Sequence, residues 1–266
     1  MTAQPSSLLA PAVPPSAPLA YEQVLGVRLA LIDYAGTLRW IEQAVEARHR
    51  GYVCVAAVHT VMACREDPEL RAAVNGASFT VPDGQPLVWA LNALGHRLRD
   101  RVYGPELMER AAARAARTGQ RWYLYGGRDE AALAELTRRL CARHPGLQVV
   151  GGYAPPFRPL TAAEEDAVAT DVNRSGADVV WVGIGVPKQE KWMANMRERL
   201  EAPVLVGVGA AFDFHAGIVP QAPAALQRAG LEWLYRLWRE PRRLWRRYAR
   251  YNPRFVWEFA RQYAGR

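Results

Sequence analysis

The stretch that decides the fold is Asp178-Val179-Val180-Trp181-Val182-Gly183-Ile184-Gly185-Val186-Pro187-Lys188-Gln189-Glu190-Lys191-Trp192. An apolar run of strand length breaks on small residues and restarts as polar, helix-forming sequence. A strand-loop-helix joint of this kind leaves backbone N–H groups without intrahelical acceptors, and these favour a negatively charged ligand. Lys188 and Lys191 are the only lysines in the chain, and the other cationic side chains are arginines. The segment reads as part of a site for an anionic small molecule.

Working outward, the pattern repeats. Val24 to Ile32 reads as a strand or tight hairpin bent at Gly26, Tyr34 to Ala47 as an amphipathic helix and Tyr52 to Ala57 as a short strand. Leu70 to Val74 reads as helix and Ser78 to Val81 as strand. The turn Pro82-Asp83-Gly84 then precedes a helix over Pro86 to Leu94. Further on come a helix from Pro105 to Thr118 stopped by Gly119, a strand Trp122 to Tyr125 closed by Gly126-Gly127, and a helix Glu130 to Arg143. Leu147 to Tyr153 is the next strand, and Thr161 with Glu164 has capping-box spacing at the head of a helix ending near Arg174. Strand 178–183, helix 189–200 and strand Val204 to Val208 complete the alternation. Repeated strand-helix units predict an α/β fold, Rossmann-like, with a mostly parallel sheet flanked by helices and ligands at the carboxyl ends of its strands.

At 266 residues, half of them hydrophobic, the chain is long enough for one substantial α/β domain and an appendage. Cys54, Cys64 and Cys141 are odd in number and widely spaced, so neither a disulfide framework nor a zinc knuckle is expected, and a reducing cytosolic setting follows. Residues 1–20 are rich in Pro, Ala and Ser and carry no Lys or Arg, which reads as a flexible leader rather than a secretory signal. No apolar stretch approaches the roughly 18 residues needed to span a bilayer.

Charge is unevenly placed. From Arg236 to Arg266 ten arginines stand against Glu240 and Glu258, a net of +8 that equals the formal charge of the whole chain. These arginines are interleaved with Trp238, Trp245, Tyr248, Tyr251, Phe255, Trp257, Phe259 and Tyr263, and Pro241 and Pro253 predict two or three short helices. The expected division is a leader over 1–20, a core over 21–222 and a basic, aromatic, helical C-terminal appendage over 223–266. Nucleic-acid binding, a solvated helix face and a membrane-surface segment all suit such a composition. No nucleic-acid-binding signature accompanies it, and the membrane surface is preferred, with each Arg near anionic lipid contributing about 1 kcal/mol.

The glycine pairs Gly183/Gly185 and Gly207/Gly209 lack the third glycine of a dinucleotide fingerprint, and no phosphate loop of the Gly-x-x-x-x-Gly-Lys-Ser/Thr type occurs. A nucleotide-dependent oxidoreductase is thereby disfavoured. No cofactor is expected, and with no His or Cys cluster and no Asp-x-Asp pair a metal-independent mechanism is. Asp83 is open to two readings, a cap on the following helix or a carboxylate held at the mouth of the sheet as a general base. His59 is either a satisfied strand-end histidine or a ligand contact.

Together, Val81-Pro-Asp-Gly84, Arg101-Val-Tyr-Gly104, Tyr125-Gly-Gly127, Pro155-Pro-Phe157, Gly183-Ile-Gly-Val-Pro-Lys-Gln-Glu190, Gly209-Ala-Ala-Phe-Asp213 and Gly230-Leu-Glu-Trp233 resemble the WecG/TagA/CpsF glycosyltransferases over nearly the whole chain. The resemblance implies inverting, metal-independent transfer of a sugar from a UDP-sugar to a saccharide on a polyprenyl diphosphate, at the cytoplasmic membrane face, in cell-surface polysaccharide synthesis. It makes Asp83 the base and gives Arg101, with Arg236, Arg239, Arg242 and Arg243, the stabilisation of the departing diphosphate. It further implies that Gln189 hydrogen-bonds the donor and that Lys188 and Glu190 order its loop, with substrate contacts from His59, Gly104, Gly126, Gly185, Pro187 and Asp213. No nucleic acid is expected as partner. Ala57 stands where relatives usually carry Asn, Gln221 where Arg is usual and Glu106 where Asp is commoner. The donor therefore stays open between an N-acetylmannosamine type and a hexose or hexuronate.

Overall fold

Val179 to Val182 are buried without exception, as expected of a strand covered on both faces. That strand belongs to a six-stranded, all-parallel sheet in a computed structural model that describes residues 19–223, 226 and 232–266, the side chains of Glu232, Trp233, Arg236 and Arg243 excepted. In chain order the elements begin with a hairpin, β1 (Tyr21–Val24) and β2 (Val27–Ala30), then α1 (Tyr34–Glu46), β3 (Gly51–Ala56), α2 (Val58–Glu66), α3 (Pro68–Asn75), β4 (Phe79–Pro82), α4 (Gln85–Ala93) and α5 (Gly104–Thr118). They continue with β5 (Arg121–Gly126), α6 (Glu130–Arg143), β6 (Gln148–Tyr153), α7 (Ala162–Ser175), β7 (Val179–Gly183), α8 (Lys188–Met196), β8 (Val204–Gly207) and α9 (Ala211–His215). The tail supplies α10 (Glu232–Arg239) and α11 (Pro241–Ala264).

The sheet order is β4-β3-β8-β7-β5-β6, and helices pack on both of its faces. Trp122 and Trp181 meet on one face with ring centroids 4.8 Å apart, while Tyr125 stacks on Trp192 of α8 at 3.9 Å on the other. The Rossmann-like α/β reading holds. The hairpin reading holds too, since Leu25 and Gly26 have φ of 52° and 84°, the left-handed pair a two-residue turn requires.

Three local expectations are corrected. Helix α2 was not anticipated; most of its residues are buried, so it carries no apolar stripe against a polar face. Asp83 does not cap α4, whose N-cap is Gly84 with no side-chain hydrogen bond. Pro253 does not break the tail, because α11 runs through it from Pro241 to Ala264. A proline inside a helix costs about 3 kcal/mol, and the seating of α11 outweighs it. Leu244 and Phe255 are buried, and Tyr251 and Phe259 pack against the core beneath α2 and the hairpin. Arg250 and Tyr251 reach Glu66 at 2.9 and 3.2 Å, and Arg65 reaches Glu258 at 2.9 Å. Gln262 accepts from the Leu25 N–H at 2.8 Å and donates to the Gln23 carbonyl at 2.7 Å. Residues 1–18, which include most of the expected leader, lie outside the described residues, as does Gly230 in the last of the quoted motifs.

Candidate active site

All six parallel strands end, at their carboxyl side, on one cavity of about 1050 Å³. In sheet order its wall takes Asp83 after β4, Ala57 and His59 after β3, Val208 to Ala210 after β8, Gly183 to Val186 and Lys188 after β7, Gly127 and Arg128 after β5, and Pro155 to Leu160 after β6. Among the helices that begin there are α2 at Ala57 and His59, α5 at Gly104 and Pro105, and α8 at Lys188 and Gln189. Their N-termini bring partial positive charge to the same rim, the setting for an anionic group.

Asp83 is placed by backbone. Its N–H donates to the Ala56 carbonyl at 2.8 Å, extending the β4 ladder by one residue, and the Val102 N–H donates to the Pro82 carbonyl at 2.8 Å. The second bond brings the start of α5 across the strand end, where the Gly104 N–H donates to Asp83 Oδ1 at 3.2 Å. Asp83 thus sits at a helix N-terminus, though of α5 rather than α4. Tyr34 donates nothing to the carboxylate; its hydroxyl accepts from the Tyr103 N–H at 2.9 Å, and burial pushes the phenol above its usual pKa, with Asp83 adding to the rise.

The Gly185–Gln189 segment forms another part of the wall. Gln189, 1 % exposed, accepts at Oε1 from the Gly185 N–H at 3.2 Å and donates from Nε2 to Glu190 Oε1 at 2.9 Å. Glu190 is fully buried, and desolvation raises its carboxyl to about 7. The two lysines part company. Lys188 is exposed at the cavity, while Lys191 is tied to Asp67 at 2.9 Å and Glu69 at 2.5 Å, and those carboxylates hold its ammonium above its ordinary pKa.

Asp213 of α9 lines the cavity in a two-bond ion pair with Arg128, at 3.0 and 3.2 Å, which pushes the guanidinium pKa upward. Nothing local in the sequence announces Arg128, because its partner lies 85 residues away. Arg247 and Glu240 of the tail also line the cavity, as do Tyr103, Phe157 and Trp192. A carboxylate, cationic side chains, helix N-termini and apolar side chains thus share the wall of one cavity.

Residues 22–266 match the model of the glycosyl transferase WecG/TagA/CpsF family. The chain belongs to that family. It is therefore a transferase, acting on a sugar donor and an acceptor.

For this glycosyltransferase, seven of the residues expected from the sequence stand together in the cavity wall: His59, Asp83, Gly104, Gly185, Lys188, Gln189 and Asp213. Arg101 stands behind that wall, its guanidinium 4.5 Å from the ring of Tyr103, which does line it. Gly126, Pro187 and Glu190 do not line the cavity. Gly126 has a structural reason to be glycine, since a Cβ there would come within 2.6 Å of the Gly183 backbone where β5 and β7 close up. Arg239 and Arg242 are exposed away from the cavity, and the side chains of Arg236 and Arg243 lie outside the described residues. Among the described residues no group of three or more His, Cys, Asp or Glu is arranged to hold a metal, and no helix is long and apolar enough to cross a membrane.

Proposed function

We propose that the cavity binds a UDP-sugar and that the enzyme transfers the sugar, with inversion and without a metal, to a saccharide carried on a polyprenyl diphosphate. The observation that carries this reading is the placement of Asp83. Its carboxylate is anchored by the Gly104 N–H at the rim of the same cavity that the Gly185–Gln189 segment helps to wall. Asp83 takes the proton from the acceptor hydroxyl as that oxygen attacks the anomeric carbon. The bond from that carbon to the diphosphate oxygen breaks, and the electron pair leaves with UDP. Lys188, Arg128 and the N-termini of α5 and α8 stabilise the charge that develops there. Arg247 takes the place in the wall that other tail arginines were expected to fill.

The order of strands supports an order of subsites. Asp83 lies at one edge of the sheet and the Pro155–Leu160 loop at the other, five strand spacings or roughly 24 Å apart. The reacting end of the donor belongs near β4 and β3, the diphosphate above Gly185 and Lys188, and the nucleoside toward Arg128 and Phe157. The donor sugar is of N-acetylmannosamine type, or a hexose or hexuronate.

The tail supports attachment to the inner face of the plasma membrane. Leu244, Tyr251, Phe255 and Gln262 recur at helical spacing and meet the body, whereas Trp245, Val256 and Tyr263 recur at the same spacing roughly 100° around the axis and are exposed. Arg242, Arg246 and Arg250 are exposed as well. An exposed apolar stripe accompanied by arginines suits an anionic lipid surface.

The test is a screen of UDP-sugars against a short-chain polyprenyl-diphosphate saccharide, with product mass measured. Asp83→Asn is expected to lower turnover by about 10²–10⁴-fold while UDP binding survives. Unchanged turnover in that variant removes Asp83 from the chemistry.

A further inference from the structure

Glu190 is the one acidic side chain of the Gly185–Lys191 segment, and it faces inward, away from any ligand. It is 0 % exposed and absent from the cavity wall, while Gln189 before it and Lys191 after it both reach that wall. Its side-chain partner is Gln189, whose Nε2 donates to Oε1 at 2.9 Å, and its Oε2 is buried with no hydrogen-bond partner. Gln189 in turn accepts from the Gly185 N–H, and its own backbone N–H returns to the Gly185 carbonyl at 2.9 Å. The Gln189 amide is closely packed as well. A Cβ at Gly207 would come within 3.2 Å of its Nε2, and one at Gly209 within 3.4 Å of its Oε1. With the amide so confined, the carboxyl oxygen facing Nε2 decides which end of Gln189 points at Gly185.

We propose that Glu190 is a positioning residue for donor binding: buried and un-ionised, it fixes the Gln189 amide and, through it, the Gly185 backbone at the cavity wall, and on ionisation the fully buried carboxylate, with its Oε2 unpartnered, is drawn toward water and leaves that seat. The inference rests on the reading that the donor occupies this cavity.

Among the described residues no cationic side chain pairs with Glu190. The ionisable groups that reach it are Cys54 from β3 and Cys64 from α2, and burial holds the first thiol well above its usual pKa and pushes the second up to about 12. Asp67 and Arg71 act on Cys64 in turn, and Asp67 is paired with Lys191 together with Glu69 of α3. The segments of β7 and β8 bring no ionisable side chain. Desolvation therefore dominates and lifts the carboxyl to about 7, against the opposing pull of Gln189 and the backbone. An acid whose folded pKa lies above its unfolded value stabilises the fold fully below the unfolded value, here 4.5, and that contribution is lost as pH rises through 7.

UDP binding to the full chain, followed by calorimetry from about pH 6 to about pH 8.5, tests the proposal. Wild-type affinity is expected to fall about tenfold per pH unit above about pH 7, following the protonated fraction. Glu190→Gln, whose carboxamide cannot ionise, is expected to lack that fall, and Glu190→Ala to bind at least about tenfold more weakly at every pH. Ionisation of UDP itself is common to all three proteins and cancels in their comparison. The proposal is overturned if Glu190→Gln follows the wild-type decline, or if wild-type affinity is flat across the alkaline range, an outcome that decides the matter even where a variant fails to fold. A wild-type protein that binds no UDP at any pH sinks the cavity reading instead. Melting temperatures then still judge Glu190: between about pH 4.5 and about pH 7 the wild type must lose stability relative to Glu190→Gln.

Discussion

Helix α8 and helix α11 invert the usual distribution of side chains in opposite senses. In α8 two polar residues turn inward, with Gln189 1 % and Glu190 0 % exposed, while the C-terminal helix leaves Trp257 65 % and Val256 66 % exposed. A buried carboxylic acid and an exposed indole are each unfavourable by themselves, and each is informative for that reason. The inward polar groups of α8 serve geometry, since they hold a loop in one conformation. The outward apolar groups of α11 serve contact on the proposed membrane reading, in which their stabilisation is realised only against a lipid surface. One departure organises the molecule from within, and the other, on the proposed reading, meets a lipid surface outside it.

The largest effect that can break this contrast lies in the tail. Replacing Trp238, Trp245 and Trp257 together by Ser removes three exposed indoles, each worth about 1.5–3 kcal/mol when fully buried. Co-sedimentation with anionic vesicles is expected to fall by at least about a hundredfold while the melting temperature stays within a few degrees. A large drop in melting temperature would instead make these residues part of the core.

A smaller effect is expected at the inward-turned pair. Gln189→Leu keeps the volume but strands the Gly185 N–H and Glu190 Oε1, each at a cost of about 1–3 kcal/mol. Donor KM is expected to rise by about tenfold to a hundredfold, with vesicle binding retained. Equal loss of both would merge the two regions into one function.

The smallest effect sharpens the account of the tail. Pro253→Ala restores a missing helix N–H, offset in part by a freer unfolded chain, and is expected to gain about 1–2 kcal/mol in thermal or denaturant unfolding. A loss of stability would mean that the proline shapes the seat of α11 on α2.

Where local chemistry rules, the sequence was legible. Gly119 closes α5 at φ 73°, and Thr161 and Glu164 form the reciprocal cap of α7. The strand-loop-helix joint at Gly183–Lys188 placed one wall of the cavity, and Asp83 and His59 fell on the same rim. Where partners are remote, it was not. Arg128 gains its place from Asp213, and α2 is hidden because most of it is buried and its apolar residues form no stripe. Glu190 and Lys191 are adjacent charges with opposite fates, one desolvated in the core and the other paired with α3. No pattern of letters separates them, since the difference lies in what β3 and α3 bring to each side.

The bonds from Gln262 to Leu25 and Gln23, with Arg266 reaching Glu22 at 2.6 Å, make the last helix a clasp between residues nearly the whole chain apart. A helix pinned at that end to the opening hairpin, and along its length to Glu66, cannot swing as a leash would. On the proposed membrane reading, a plane that accepts its outer flank accepts the catalytic body at one fixed tilt, so the attitude of the enzyme on its support is written into hydrogen bonds between the last helix and the opening hairpin.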